Sequence, residues 1–124
     1  AAVGKENLTE GGDLSCAFFV SAILYHFGLI KEPHLGVGRE TENRAKGTGA
    51  LEDMQKSGWY KISRPRKGSI ILWKERQGHR HLGFYLGNQK AISNNSKRRV
   101  PKIHHYTFNQ KRKIEAIFWH KKLN

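Results

Sequence analysis

The sequence has little cysteine, few acidic residues and no long apolar run, and each scarcity limits what the protein can be. A single cysteine among 124 residues cannot form an internal disulfide, so packing alone must stabilise the fold. No apolar stretch approaches the roughly 20 residues that a membrane-spanning helix needs. A chain of this length buries roughly two-thirds of its unfolded surface, which predicts one domain over residues 1–124.

The shortage of acidic residues leaves a strongly basic chain. Ten Asp and Glu oppose 23 Lys and Arg, giving a net charge of +13 and a pI of about 10.2. Such a charge attracts polyanions, whether nucleic acid, an anionic lipid surface or an anionic cell-wall polymer. The cations recur beside turn signals as four groups: Arg64, Arg66 and Lys67; Lys97, Arg98 and Arg99; Lys111, Arg112 and Lys113; and Lys121 and Lys122. Each group alone is typical of a solvated loop, but together they predict an anionic partner.

The segment DLSCAFFVSAILYHFG, residues 13–28, is the most apolar stretch and predicts a helix. One row of it has the i, i+4, i+7 spacing of a helix face and consists of Val20, Leu24 and Phe27. Apolar residues also occupy the other sides, which predicts that the helix is largely buried. Asp13 or Ser15 can cap its start, so the only cysteine, Cys16, falls in the first turn.

The second half of the chain has the pattern of a β-sheet. Short apolar or alternating segments are separated by turn signals and read WYKI, SIILW, HLGFYLG, KAIS, IHHYTF and RKIEAIFWH. Between them and the first helix, residues 31–49 contain four glycines and no period, which predicts a long loop, and residues 48–58 predict a short helix. The sequence therefore predicts an α+β domain, with the N-terminal helix packed on an antiparallel sheet of four to five strands.

The position of Cys16 at a helix start has two interpretations. The thiolate is the reactive form of cysteine, and both a helix N-terminus and a neighbouring histidine lower the pKa of a thiol. The N–H of Cys16 is also placed to help hold an oxyanion. A free cysteine is, however, most often a small core residue. The catalytic interpretation therefore requires that the thiol meets a histidine and is not sealed beneath apolar side chains.

His81 is the first candidate partner because it opens an alternating strand predicted over residues 81–87. Gly83, the next residue on the same face, leaves room for another backbone or a substrate chain to approach. His79 is the second candidate, since it is predicted to lie in the turn after Gly78, where its orientation would be poorly fixed. The remaining histidines are interpreted as helix-end, surface or strand residues: His26, His34, His104, His105 and His120.

A Cys–His pair usually needs a third group that fixes the tautomer and the orientation of the imidazole. If residues 87–88 form the turn of the hairpin, the register places His81 opposite Asn94. The amide oxygen of Asn94 can accept the imidazole N–H, and Ser93 and Asn95 are the alternatives. The same SNNS segment is equally typical of plain turn chemistry.

Three segments together resemble the NlpC-type and CHAP families of papain-like cell-wall hydrolases. SCAFFVSAIL resembles their nucleophile helix, and PRKGSIILW resembles their Pro-x-x-Gly-Asp strand, with Ser69 in place of the Asp. HLGFYLGNQKAIS resembles their His-Val-Gly-Ile-Tyr-x-Gly-Asn hairpin and is the most specific of the three. The likeness covers residues 13–28 and 65–95. The third catalytic residue of NlpC-type members is often a histidine whose place falls on Ser93, whereas CHAP members often use an acidic residue or Asn.

The resemblance implies a papain-like fold and a cysteine peptidase or amidase. Cys16 would attack an amide carbonyl of a peptidoglycan stem peptide, with an oxyanion held by backbone N–H groups. His81 would protonate the leaving amine and then activate water to clear the thioester. The resemblance implies no cofactor, and the spacing of the His and Cys residues matches no metal-ligand pattern. The expected partner is peptidoglycan or another anionic cell-wall polymer, met by a secreted, periplasmic or wall-associated protein, with loop 31–49 bordering the cleft.

Three other functions remain open at the level of sequence. A nucleic-acid-binding module would explain the charge, but it predicts exposed aromatics among the cations, whereas Trp59, Tyr60, Trp73 and Trp119 follow the strand pattern. A thiol acyltransferase would use the same Cys–His pair, since water and an amine compete for one thioester. An inactive wall-binding relative would keep the pair without using it.

Overall fold

The computed structural model describes residues 13–34, 37, 49–76, 79–94 and 100–124. The helices are α1 (Asp13–His26) and α2 (Ala50–Lys56), and a short 3-10 helix spans Lys121–Leu123. The strands are β1 (Tyr60–Ile62), β2 (Ile70–Arg76), β3 (His79–Gly87), β4 (Lys90–Asn94), β5 (Pro101–His105) and β6 (Ile114–Trp119). Within these ranges, no helix is both long and apolar enough to cross a membrane.

All strand pairs of the sheet are antiparallel, in the order β1-β6-β2-β3-β4-β5. The prediction of an α+β domain with an N-terminal helix on an antiparallel sheet is confirmed. The predicted number of four to five strands is wrong, since the described residues form six. The short strand β1 pairs only with β6 at the edge of the sheet. A pairing between segments that lie so far apart in sequence leaves no local pattern.

The sheet is covered on both faces, which explains the apolar run in β2. Ile70 and Leu72 join α1 and α2 in the larger core cluster. Ile71 and Trp73 point to the opposite face and pack with aromatic side chains from β3 and from the segment after β5. Side chains alternate between the faces of a strand, so we call these the helix face and the aromatic face.

A buried polar network fixes α1 against α2. The Ser21 hydroxyl accepts the His34 N–H at 2.7 Å and donates to the His34 carbonyl at 3.1 Å. His34 Nε2 lies 2.7 Å from an Asp53 oxygen, and Asp53 also accepts the backbone N–H groups of Lys31 and Glu32. Burial alone would raise the pKa of Asp53, but these hydrogen bonds together hold it below its usual value. The network therefore holds in place the helix that carries Cys16.

The β3–β4 hairpin has a different register from the one predicted. Its turn residues are Asn88 and Gln89, with φ of 52° and 64°, as a type I′ turn requires at both central positions. Gly87 pairs with Lys90, and a shift between Tyr85 and Gly87 brings Gly83 opposite Ser93. The prediction that residues 87–88 form the turn is therefore wrong by one residue. Moving the turn by one residue changes the pairing by two and would keep the predicted faces, whereas the shift between Tyr85 and Gly87 changes it by one and exchanges which side chains share a face.

Candidate active site

Cys16 lies in the first turn of α1, but the helix begins earlier than its caps predict. Asp13 and Ser15 are the first and third residues of α1, not residues that precede it. The N–H groups of the first three helical residues have no acceptor within the helix. The N–H groups that no carbonyl of the helix accepts therefore belong to residues 13–15, and Cys16 comes just after them.

The sulfur of Cys16 contacts the backbone of β3 on both sides of His81. Sγ accepts the Leu82 N–H at 3.4 Å and lies 3.8 Å from the Arg80 carbonyl oxygen, to which the thiol donates. The helix tip therefore meets the backbone of the strand that carries His81. Cys16 has no exposed surface, so the second requirement, an accessible thiol, is not met in this conformation.

His81 belongs to a hydrogen-bonded chain on the aromatic face. Its Nε2 lies 2.9 Å from the Ser93 hydroxyl oxygen. The same oxygen lies 2.7 Å from Nε2 of His104, and Nδ1 of His104 lies 2.8 Å from the His105 carbonyl oxygen. The three side chains of this hydrogen-bonded series come from three neighbouring strands: His81 from β3, Ser93 from β4 and His104 from β5. The geometry connects His81 to a second histidine through one hydroxyl group.

Gly83 allows β4 to approach closely enough for the His81–Ser93 contact. A Cβ atom at this position would lie 2.6 Å from the Ile92 carbonyl oxygen, 2.8 Å from Ser93 Cβ and 3.0 Å from an atom of the Trp73 ring. Of the two expected neighbours of Gly83, another backbone and a substrate chain, the structure shows the backbone of β4. Gly83 serves the packing of the site rather than the binding of substrate.

Aromatic rings fix the orientation of both imidazoles. The centroid of the Trp73 ring lies 5.4 Å from that of His81 and 5.6 Å from that of His104. Phe108 stacks on His104 at 4.0 Å, with 16° between the ring planes. Trp73 is itself fixed because its indole N–H donates to the Tyr106 carbonyl at 2.8 Å. Neither imidazole can turn without displacing a neighbouring ring.

The environment keeps both histidines neutral at neutral pH. Burial is the largest cause of the low pKa of His81, which is about 3. The charge of Arg112, and that of His104 when it is protonated, lower this pKa further. Burial also lowers the pKa of His104, although the hydrogen bond to His105 opposes this shift. A neutral imidazole keeps one nitrogen that can accept a proton, so the His81 ring rests as a base.

The other predicted residues are placed as follows. Asn94 lies one position beyond Ser93, so alternation directs it to the face opposite His81. The side chain that contacts His81 is therefore that of Ser93, one of the alternatives for the third group, and not that of Asn94, the first choice. His79 begins β3 and pairs with Arg76, so it does not lie in a turn. Asn95 and most of the loop predicted over residues 31–49 lie outside the described residues.

His104 is the residue that the sequence did not identify. It pairs with Ala91 across β4 and β5, which brings it to the aromatic face beside Ser93. The sequence does contain a signal, because two successive histidines in a strand point to opposite faces. One of His104 and His105 therefore had to share a face with Ser93, once β5 is known to pair with β4.

The arrangement and the sequence lead to the same class of protein. A thiol held against the backbone on both sides of a histidine, on an α+β scaffold, has the element arrangement of enzymes that transfer acyl groups through a Cys–His pair. The family model of the NlpC/P60 family matches residues 11–122, which is most of the chain, and the protein belongs to this family. No individual curated protein matches the sequence. Membership indicates a hydrolase of the cell wall whose substrate is peptidoglycan.

Proposed function

We propose that the chain forms one papain-like catalytic domain that cleaves an amide bond in peptidoglycan stem peptides, with Cys16 as the nucleophile. The observation that carries this proposal is the contact of the Cys16 sulfur with the backbone on both sides of His81. The family supplies the substrate class, and the neighbouring imidazole supplies a base. The third group is Ser93, which contacts His81.

The reaction is an acyl transfer in two steps. His81 accepts the thiol proton while the Cys16 sulfur attacks the amide carbonyl, and N–H groups of residues 13–15 stabilise the oxyanion. The C–N bond then breaks, and the imidazolium returns the proton to the leaving amine. In the second step His81 deprotonates water, which hydrolyses the thioester to a carboxylate and restores the thiol.

Substrate reaches Cys16 only after the site opens, because the sulfur is fully buried and His81 is 8% exposed. Burial is also the largest cause of the low pKa of His81. Any movement that exposes the sulfur therefore hydrates the imidazole and raises its basicity. The closed conformation is a resting state, and binding of substrate increases the reactivity of the pair.

A cavity on the helix face is the proposed approach for the peptide. It has a volume of about 450 Å³ and is lined by α2, β1, β6 and Leu72 of β2. Leu72 pairs with Leu82, whose N–H contacts the Cys16 sulfur. The cavity therefore borders β2, which lies about 5 Å from β3, the strand whose backbone contacts the sulfur.

The net charge of +13 supports a site of action in the cell wall. Polymers of the wall carry phosphates and carboxylates, and a cationic protein concentrates near them. The basic group at residues 97–99 lies outside the described residues. Among those that the structure describes, Arg64, Arg66, Lys121 and Lys122 are exposed cations that can meet such a polymer. We propose that the protein is secreted, periplasmic or attached to the wall.

Digestion of purified peptidoglycan tests this function. Native protein is expected to release fragments whose masses identify the cut bond, and Cys16→Ala is expected to lower the rate by roughly 10⁴-fold or more, because the nucleophile is lost. Leu24→Ala is the matched control, since it also shortens a buried side chain of α1 but lies about two helical turns away from Cys16.

Equal fragment release by native protein and Cys16→Ala would contradict the proposal. Binding to the wall without cleavage by either protein would indicate the polyanion-binding alternative. An added amine that appears in the products would identify acyl transfer in place of hydrolysis, since it captures the same thioester.

A further inference from the structure

The hydrogen bonds around His104 determine which of its nitrogens carries a hydrogen. Its Nδ1 lies 2.8 Å from the His105 carbonyl oxygen. A carbonyl oxygen only accepts hydrogen bonds, so Nδ1 must donate and therefore carries the hydrogen. In the neutral ring the other nitrogen, Nε2, then has a free lone pair and acts as an acceptor.

The same logic passes from His104 to His81 through Ser93. The Ser93 hydroxyl lies 2.7 Å from Nε2 of His104, and an acceptor at that position requires the hydroxyl to donate. The Ser93 oxygen then has only lone pairs to offer to Nε2 of His81, 2.9 Å away. Nε2 of His81 therefore carries the hydrogen, and Nδ1 of His81 is left as the basic nitrogen.

Nδ1 is the nitrogen that the catalytic pair needs. It is bonded to the ring carbon that joins the side chain, so it is the ring nitrogen nearer to the backbone. The Cys16 sulfur contacts that backbone on both sides of His81. Because Nε2 is engaged by Ser93, Nδ1 is the ring nitrogen left to accept the thiol proton, and it lies nearer than Nε2 to the backbone that the sulfur contacts.

We propose that His104 is a positioning residue of the site: acting through the Ser93 hydroxyl, it holds His81 in the tautomer that leaves Nδ1 free to take the thiol proton. The proposal rests on the proposed function of Cys16 and His81. The stacking of Phe108 on His104 and the packing of Trp73 on both imidazoles hold the three groups in line.

Protonation of His104 reverses the direction of the hydrogen bonds that join it to His81 through Ser93. Its Nε2 then donates to Ser93, the hydroxyl turns to donate to Nε2 of His81, and the hydrogen of His81 is displaced to Nδ1. The new positive charge also opposes the imidazolium that forms during attack. The other charged or titratable groups that face these rings are Lys102, His105 and Arg112. We therefore expect the rate of catalysis to fall at acidic pH as His104 gains a proton.

Three variants separate this role from a structural one. Ser93→Ala and His104→Leu remove the relay and are expected to lower kcat by roughly 10- to 100-fold, as loss of an outer orienting partner does elsewhere, with KM unchanged. His104→Gln places an amide oxygen near the position of Nε2 and cannot be protonated. It is expected to keep most of the activity and to move the acidic limb of the pH profile to lower pH. His26→Gln, at the exposed end of α1, is the control.

Nitrogen-15 NMR of the imidazoles shows which nitrogen of His81 and of His104 carries the hydrogen, and so tests the proposal without any activity measurement. Native protein at neutral pH is expected to show hydrogen on Nε2 of His81 and on Nδ1 of His104, and Ser93→Ala is expected to shift His81 towards a mixture of tautomers. Hydrogen on Nδ1 of His81 in native protein, or native kcat and pH profile in a folded His104→Leu, would overturn the proposal. Should His104→Leu fail to fold, the spectra of native protein and Ser93→Ala decide it. A native protein that cuts no peptidoglycan would overturn the proposed function alone.

Discussion

Replacing Gly83 with alanine is expected to destabilise the protein and to separate His81 from Ser93. The added Cβ would meet the Ile92 carbonyl oxygen at 2.6 Å and Ser93 Cβ at 2.8 Å, and backbone atoms of a central strand cannot move aside cheaply. Overpacking of this kind costs roughly 1–3 kcal/mol, and more where backbone must shift. Urea unfolding measures the loss in stability, and the peptidoglycan digest measures the accompanying loss of activity.

Gly87→Ala, at the other end of β3, is the matched control for this prediction. Gly87 has a φ of +94°, but a Cβ there meets nothing within 4 Å. The control therefore carries backbone strain of about 1–2 kcal/mol without a clash, and it should keep native activity when folded. A Gly83→Ala protein with native stability would show that β4 is not held against β3 as described.

His81→Gln is expected to lower activity by roughly 10³-fold and, at the same time, to make stability less sensitive to acid. The pKa of His81 is about 3 in the folded protein, against about 6.5 in an unfolded chain. Between these values the unfolded state binds the extra proton, so native stability falls as the pH drops from about 6.5 to about 3. The full effect, about 3.5 pKa units, is on the order of 5 kcal/mol.

Urea unfolding at a series of pH values between these limits tests the second effect. The slope of unfolding free energy against pH should be shallower in His81→Gln than in native protein, whereas His26→Gln should keep the native slope. Identical slopes in native protein and His81→Gln would mean that His81 is not buried in a neutral form. If His81→Gln loses activity but keeps the native slope, His81 is needed for catalysis but its pKa is not lowered by burial.

Local patterns were sufficient for the elements but not for their partners. The apolar spacing along residues 13–28 predicted α1 because residues on one face of a helix recur every three to four positions. The alternation after residue 80 predicted β3 for the same kind of reason. The pairing of β1 with β6 left no such record, since it joins segments that are distant in sequence, and the strand number was therefore underestimated.

The site was predicted as far as single elements determine it. Cys16 lies in the first turn of α1 and His81 is the third residue of β3, and the structure brings those two elements together. The choice between Asn94 and Ser93 depended on an irregularity inside the hairpin. The turn at Asn88 and Gln89 alone would leave Asn94 on the face of His81, but the shift between Tyr85 and Gly87 changes the register by one residue and brings Ser93 to that face.

The buried state of Cys16 leaves two interpretations of the sulfur that differ in one measurable property. A core cysteine reacts with a small alkylating reagent only when the whole protein unfolds, whereas a nucleophile in a site that opens reacts from the folded state. The neighbouring base should accelerate this reaction by taking the thiol proton. Reactivity under native conditions therefore addresses both the accessibility of the sulfur and its pairing with His81.

The most direct test is the rate at which iodoacetamide modifies Cys16 in native protein and in His81→Gln at neutral pH, beside the global unfolding rate of each. We expect the native thiol to react faster than the protein unfolds, and to react at least roughly tenfold more slowly without the imidazole. Modification of both proteins only at their unfolding rates would show that Cys16 is a core residue and that the proposed catalyst is wrong.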